Sequence, residues 1–376
     1  MEMRLHPPSD IISNLPEHVI ETILVHLPIR DAVRTCVLSH KWRYKWATIP
    51  ELVFDENSIP ELVFGENSIL TAEDVTIHMH KLVNFIDRLL LLHKGPLLKF
   101  ELSLCLVNDS FFDAWILFLS RNGVKELTLK VRGEKPYRFP YSFFSCQAIT
   151  DLNLQHCILE SPSAFKGFSD LKSLNFQSVI LSDEVFETII SNCTALERLR
   201  LKNLNGCSRL KICGLNLQHF YFDGELTDIC FIDVPQLSFV SIYSHNSLFE
   251  HVGQGDSCNL VKVLGPLTGL EKLASESYFI QLDEADVTEL VGDFWEAQGH
   301  LDCSMNHLRV VKVYFIAGLR PDLQFLKFLL VNSPVLEILR VNLTLGIIID
   351  ETKTLKELLR FRRASARAEI ICTPNF

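Results

Sequence analysis

The chain carries 13 His and 11 Cys, enough ligands and nucleophiles for many reactions, yet their spacing assembles none of the known catalytic patterns. There is no GxxxxGK phosphate loop, no HExxH zinc helix and no GxSxG nucleophile elbow. No two cysteines stand in a CxxC pair. His78 and His80 are two apart in a helical pattern, which sends them to different faces. Gly253-Gln-Gly255 marks a turn only. Catalytic residues, metal ligands and cofactors are therefore all expected to be absent. What recurs instead is the chemistry of recognition, in single polar or aromatic residues held between two apolar ones. Thr128, Asn153, Asn175, Arg200, Tyr221 and Ser241 are such residues, and they are the set expected to face outward as a binding surface.

Their frame is apolar–x–x–apolar–x–apolar. It appears at Val124–Leu129, Ile149–Leu154, Leu171–Phe176, Leu196–Leu201, Leu217–Phe222 and Leu237–Ile242, with a less complete copy at Leu102 and Leu104. Counted at the fourth position, the steps are 25, 25, 22, 25, 21 and 20 residues, inside the 20–29 range of leucine-rich repeats. Later copies at Leu270–Leu273, Leu308–Val313 and Leu336–Val341 are more widely spaced. Each short strand points its apolar residues inward and the residue between them outward along a concave parallel sheet. Ser182–Asn192 reads as a helix on the opposite side, capped by Ser182 with Val185, Phe186, Ile189 and Ile190 inward. The expected fold is an α/β leucine-rich-repeat solenoid, because no single repeat can bury its own face.

Two further blocks flank the repeats. From Asp10 to Trp46, Val19, Ile20, Ile23, Leu24 and Leu27 recur at helical spacing after Pro16, and Pro28 ends that helix. A second helix is expected over Ile29–Val37, and a third capped by Ser39 with Trp42 and Trp46 on one side. So small a core with two Trp wants a partner. Pro50–Ile59 and Pro60–Ile69 are a tandem duplication differing only at Asp55 and Gly65. Thr71–Asp74 resembles a capping box and opens an amphipathic helix toward Gly95. At the far end, Pro321–Asn332 and Thr354–Arg363 read as helices, followed by an Ile-Ile segment suited to a last strand.

Composition limits the functions open to this frame. The chain is 48% hydrophobic with 26 Phe, which builds a large core, and its formal net charge is −10. An acidic chain is poorly suited to wrapping nucleic acid. The most apolar stretch, Leu82–His93, is interrupted by Asp87 and Arg88 and is too short to span a bilayer. Scattered cysteines suit a reducing compartment, nucleus or cytoplasm. Eight acidic residues and no Lys or Arg occupy the middle of residues 273–308, expected as a solvated insertion.

Residues 10–46 closely resemble the F-box of plant F-box proteins, through Leu15-Pro16, Ile23-Leu24, Leu27-Pro28, Asp31-Ala-Val33, Thr35, Leu38-Ser39 and Trp42 with Trp46. The tail resembles the FBD module of one plant subfamily, through Leu308–Val313, Leu326–Leu330, Ser333–Leu339 and Leu358–Ile370. The resemblance implies a flexible tail (1–9), an F-box (10–48), a linker with the duplication and helix (49–96), leucine-rich repeats (97–302) and an FBD-like cap (303–376). It implies a non-catalytic substrate-recognition subunit of an SCF-type ubiquitin ligase. The F-box would dock a Skp-type adaptor and, through it, cullin and RING subunits, while the repeats hold the protein to be ubiquitinated. Leu15, Pro16, Ile20, Leu24, Pro28, Val33, Leu38 and Trp42 are the expected adaptor interface, with Ile23 and Leu27 packing internally. The alternative is a non-degradative Skp-binding scaffold or inhibitor.

Overall fold

A computed structural model describes residues 12, 14–55, 72–104, 111–131, 135–162, 164–225, 228–244, 263–276, 305–316, 320–343 and 351–374. The chain divides into two compact units, Met1–Phe168 and Ser169–Phe376.

The first unit opens with helix α1 (Glu17–Val25), with Pro16 at its N-cap. Helix α2 (Ile29–Arg34) follows Pro28 and runs into a 3-10 turn, Thr35–Val37. Ile20 and Leu24, one helical turn apart, bury with Ile29 and Ala32. The third expected helix is not α-helical. Residues 38–44 form turns, Tyr44 takes a left-handed φ of 64°, and a 3-10 helix spans Lys45–Thr48. So short a stretch gains little by nucleating a helix. The reversal at Tyr44 instead buries both indoles, leaving Trp42 and Trp46 2% and 4% exposed.

Strand β1 (Glu51–Phe54) then pairs in parallel with β2 (Lys99–Leu104), and β2 with β3 (Glu126–Val131). Leu52 and Phe54, from the first copy of the duplication, are buried. The second copy, Pro60–Ile69, lies outside the described residues. Helix α3 (Ala72–Leu92) buries Leu82, Val83, Ile86, Leu89 and Leu90. Helix α4 (Phe112–Arg121), which the repeat pattern does not announce, buries Phe112, Trp115, Ile116 and Leu119. The Trp115 indole N–H donates to Asp87 Oδ1 at 2.7 Å, tying α4 to α3. A two-residue strand β4 (Tyr137–Arg138) pairs with β6 (Cys157–Ile158), while β5 (Asp151–Gln155) extends the main sheet beside β3. Phe143, Phe144, Phe165 and Phe168 interlock edge to face beneath it, so these rings are core.

The second unit continues the same grammar. Its strands are β7 (Ser173–Gln177), β8 (Arg198–Lys202), β9 (Arg209–Cys213), β10 (His219–Gly224), β11 (Asp228–Ile232), β12 (Phe239–Ser244), β13 (Lys272–Glu276), β14 (Val310–Ile316), β15 (Ile338–Leu343) and β16 (Glu369–Pro374). The main sheet runs β7-β8-β10-β12-β13-β14-β15-β16, parallel throughout. Strands β9 and β11 form a separate parallel ladder. Helix α5 (Asp183–Asn192) is capped by Ser182, whose Oγ accepts from Val185 N–H at 3.3 Å, and Phe186, Ile189 and Ile190 face the core. Gly206 allows a tight turn at φ +85°, where a Cβ would stand 2.7 Å from Leu181 O. Helix α6 (Arg320–Asn332) packs against α7 (Glu351–Arg360), and β16 supplies the expected last strand. This is the α/β leucine-rich-repeat solenoid architecture expected from the motif, with helices at its start. The acidic stretch that follows Glu276 lies almost wholly outside the described residues.

Candidate interaction surfaces

Two surfaces follow from this framework, one on the N-terminal helices and one on the outward face of the second unit's sheet.

In most main-sheet strands the two apolar motif residues are buried and the residue between them stands on the opposite face, as the pleat requires; in β13 the second inward position is Ser275, and in β16 Ile370 and Cys372 are half-buried. Ladder register places these in rows. In the first unit Glu101, Thr128 and Asn153 are neighbours. In the second, Asn175, Arg200, Tyr221, Ser241, Ala274, Lys312 and Arg340 follow one another. Five of the six expected positions are half-buried or exposed; Ser241 is only 2% exposed and cannot present a contact surface.

Ser241 has a different role. It and Ala274, 5% exposed, are the small members of their row, and together they floor a recess of about 600 Å³. Tyr221, Phe239, Tyr243 and Tyr314 wall it, and Arg198, Arg200, Lys272 and Lys312 stand around it. The Tyr221 and Tyr243 rings lie 5.5 Å apart, and those of Tyr243 and Tyr314 lie 5.9 Å apart. The Arg200 guanidinium sits 4.1 Å from the Tyr221 ring centroid, a cation–π contact that holds both side chains. Burial pushes the Tyr221 phenol up to about 12; the Asp223 carboxylate, which accepts its hydrogen bond at 3.2 Å, adds to this and Arg200 opposes it. Burial also raises Tyr243. Both are neutral phenols at physiological pH, so the charged groups lining the recess are the four cations, with the Asp223 and Glu276 carboxylates nearby. Lys272, Tyr243, Lys312 and Tyr314 were not among the expected contacts. The strands of Lys272, Lys312 and Tyr314 follow wide gaps in the motif, and Tyr243 lies one outward position beyond the central residue of its strand.

On the helical segment the eight expected interface residues separate into two sets. Ile20, Leu24 and Trp42 are core, at 0%, 1% and 2% exposure, and the Trp42 indole N–H donates to Ile12 O at 3.1 Å. Pro16, Pro28 and Leu38 are exposed, and Leu15 and Val33 half-buried. Ile23, expected inside, is 37% exposed, and Val37 is 83% exposed. Six of the sixteen exposed large hydrophobics among the described residues lie between Ile12 and Tyr44. The segment's other side is fastened to the repeats. Lys94 N–H donates to Ala47 O at 2.8 Å, Leu98 N–H donates to Pro50 O at 2.7 Å, and a ring nitrogen of His93 lies 2.9 Å from Ile49 O. The segment is therefore tied down at its C-terminal end and carries exposed apolar side chains along its helices.

Residues 12–53 match the F-box domain profile, and residues 112–290 match the repeats of the FBD-associated F-box protein At5g56370. The chain is 36% identical to the F-box/FBD/LRR-repeat protein At1g13570 of Arabidopsis thaliana, over 96% of this chain and 98% of the relative. The chain belongs to the F-box/FBD/LRR-repeat family. A second Arabidopsis member, At5g56420, is 27% identical over 81% of this chain and 76% of its own length. The F-box is thus the helical segment with the exposed apolar side chains, and its match runs through β1 into the repeat sheet. Leu52, inside that match, is buried and pairs in register with Phe100 of β2.

Proposed function

We propose that this protein is the substrate-recognition subunit of an SCF-type ubiquitin ligase. Its F-box docks a Skp-type adaptor, which links it to cullin and RING subunits, and its repeats hold the protein to be ubiquitinated. The exposed apolar front of the F-box, with Pro16, Ile23, Pro28, Val37 and Leu38 in water, is the observation that carries this reading. A stable docking interface buries about 1,600 Å² in total, and short apolar side chains on an already folded segment meet that need at a smaller ordering cost than a disordered one.

The protein does no bond chemistry in this account. It raises the local concentration of a substrate lysine near the conjugating enzyme's thioester, a proximity effect. The eight described cysteines are free thiols, which suits a nuclear or cytoplasmic setting. Reconstitution with adaptor, cullin, RING and charged conjugating enzyme, followed by a search for ubiquitinated clients, tests the reading. Client modification that requires the F-box front supports it. Adaptor binding with no client modified favours the scaffold role, and no adaptor binding removes both.

A further inference from the structure

The recess over Ser241 and Ala274 has a definite chemical complement, and this inference rests on the recognition role proposed above. We propose that it takes an extended acidic peptide segment of the client, with carboxylates at both ends and one bulky apolar or aromatic side chain at its centre.

The layout of the walls sets that order. Arg198 and Arg200 stand on β8, while Lys272 stands on β13 and Lys312 on β14. In the ladder, Arg198 is three strands from Lys272 and Arg200 four from Lys312. At about 4.8 Å per strand, the two cationic flanks are about 14–19 Å apart. An extended peptide covers that span in about four to six residues. Between the flanks the floor is low because Ser241 and Ala274 are small, and the walls are Tyr221, Phe239, Tyr243 and Tyr314. A ring or branched side chain entering there meets tyrosine faces and edges.

Three of the four cations are available for this, while Arg198 lies 3.7 Å from Glu197. Arg200 and Lys272 are exposed and Lys312 half-buried. Among the described residues, none of these three lies within ion-pair distance of a carboxylate. Lys202, one position beyond, is by contrast held by Asp223 at 3.0 Å. The recess is therefore a local cationic site on a chain whose net charge is −10. Such a site steers acidic ligands and is sensitive to salt.

The test is calorimetric titration of the full-length protein with the acetylated, amidated peptide Glu-Glu-Gly-Phe-Gly-Glu-Glu. Its inner and outer carboxylate pairs span about 14 and 20 Å when extended. Three comparison ligands are a version with Gly at the centre, a version with Lys for every Glu, and oligo-dT. The expected result is saturable binding of the first peptide, weakened at least about threefold by the central Gly, lost with Lys, and reduced by salt. R200E/K312E should weaken it at least about tenfold, and R200Q/K312Q by less, with the unfolding midpoint of both variants unchanged. Absence of binding by the unaltered protein, or binding indifferent to both double variants, overturns the proposal. Oligo-dT bound as tightly through the same residues also overturns it, in favour of nucleic acid. Adaptor binding measured on the same preparations separates the two readings. Its loss with peptide binding intact sinks the ligase assignment alone, and the converse sinks the peptide proposal alone.

Discussion

Trp42 and Val37 show how differently two apolar residues of one short segment behave. Trp42 is buried, with its indole hydrogen-bonded to Ile12 O, so it holds the F-box together rather than greeting a partner. Trp42→Ala is expected to cost about 3–5 kcal/mol, read as a lowered unfolding midpoint. Val37→Asp, at an 83% exposed position, should leave the midpoint within about 0.5 kcal/mol of the parent while abolishing adaptor capture. Thiols sort by the same rule. Burial pushes Cys146 up to about 12 and raises Cys157 further; since the thiolate is the reactive form, neither should alkylate in the native state. Iodoacetamide at pH 8 with peptide mapping should label exposed Cys230 early and Cys146 and Cys157 only after denaturation.

At the scale of elements, α5 and the turn behind it are held by one carboxylate. Asp183 accepts from Ser208 N–H at 2.8 Å, from Arg209 N–H at 3.1 Å and from the Ser208 hydroxyl at 2.6 Å. Partial burial alone would raise its pKa, but these donors and the Arg209 charge outweigh it and hold it below the usual value of 3.8. A lowered folded value means the stabilisation is present above the unfolded pKa and is lost as pH falls through the folded one. Asp183→Ala removes three accepted hydrogen bonds at an exposed site and should cost about 0.5–1 kcal/mol at pH 7, and the gap from the parent should narrow below about pH 4. Denaturant titrations across that range measure it. The motif made nearly every main-sheet strand legible, because inward residues at fixed spacing leave little choice of face: Leu127, Leu152, Leu174, Leu199, Phe220 and Val240 are all buried. The β4–β6 and β9–β11 ladders were not legible, since two to five residues without a repeating pattern carry no period. Helix α4 was masked by a near-continuous apolar run. The third F-box helix failed because tertiary burial of two indoles outweighed local propensity. On the recess, Arg200 and Tyr221 were visible from their place in the motif, but its depth depends on Ser241 and Ala274 being small side by side, a fact of register between strands distant in sequence.

For the whole molecule, recognition and docking are divided between surfaces built on different principles. The F-box front is apolar, and the segment is tied down at its C-terminal end by backbone hydrogen bonds to the first repeats. The recess is cationic and aromatic on a sheet face. Their partners should respond oppositely to salt: adaptor binding, driven by apolar burial, should change little between 0.05 and about 0.5 M, while acidic-peptide binding falls. The most direct test of the account is calorimetric titration of a Skp-type adaptor into the full-length protein, alone and carrying V37D/L38D. The account predicts one-to-one binding that the pair of substitutions abolishes without shifting the unfolding midpoint. Absence of binding, or binding unaffected by V37D/L38D, would contradict it.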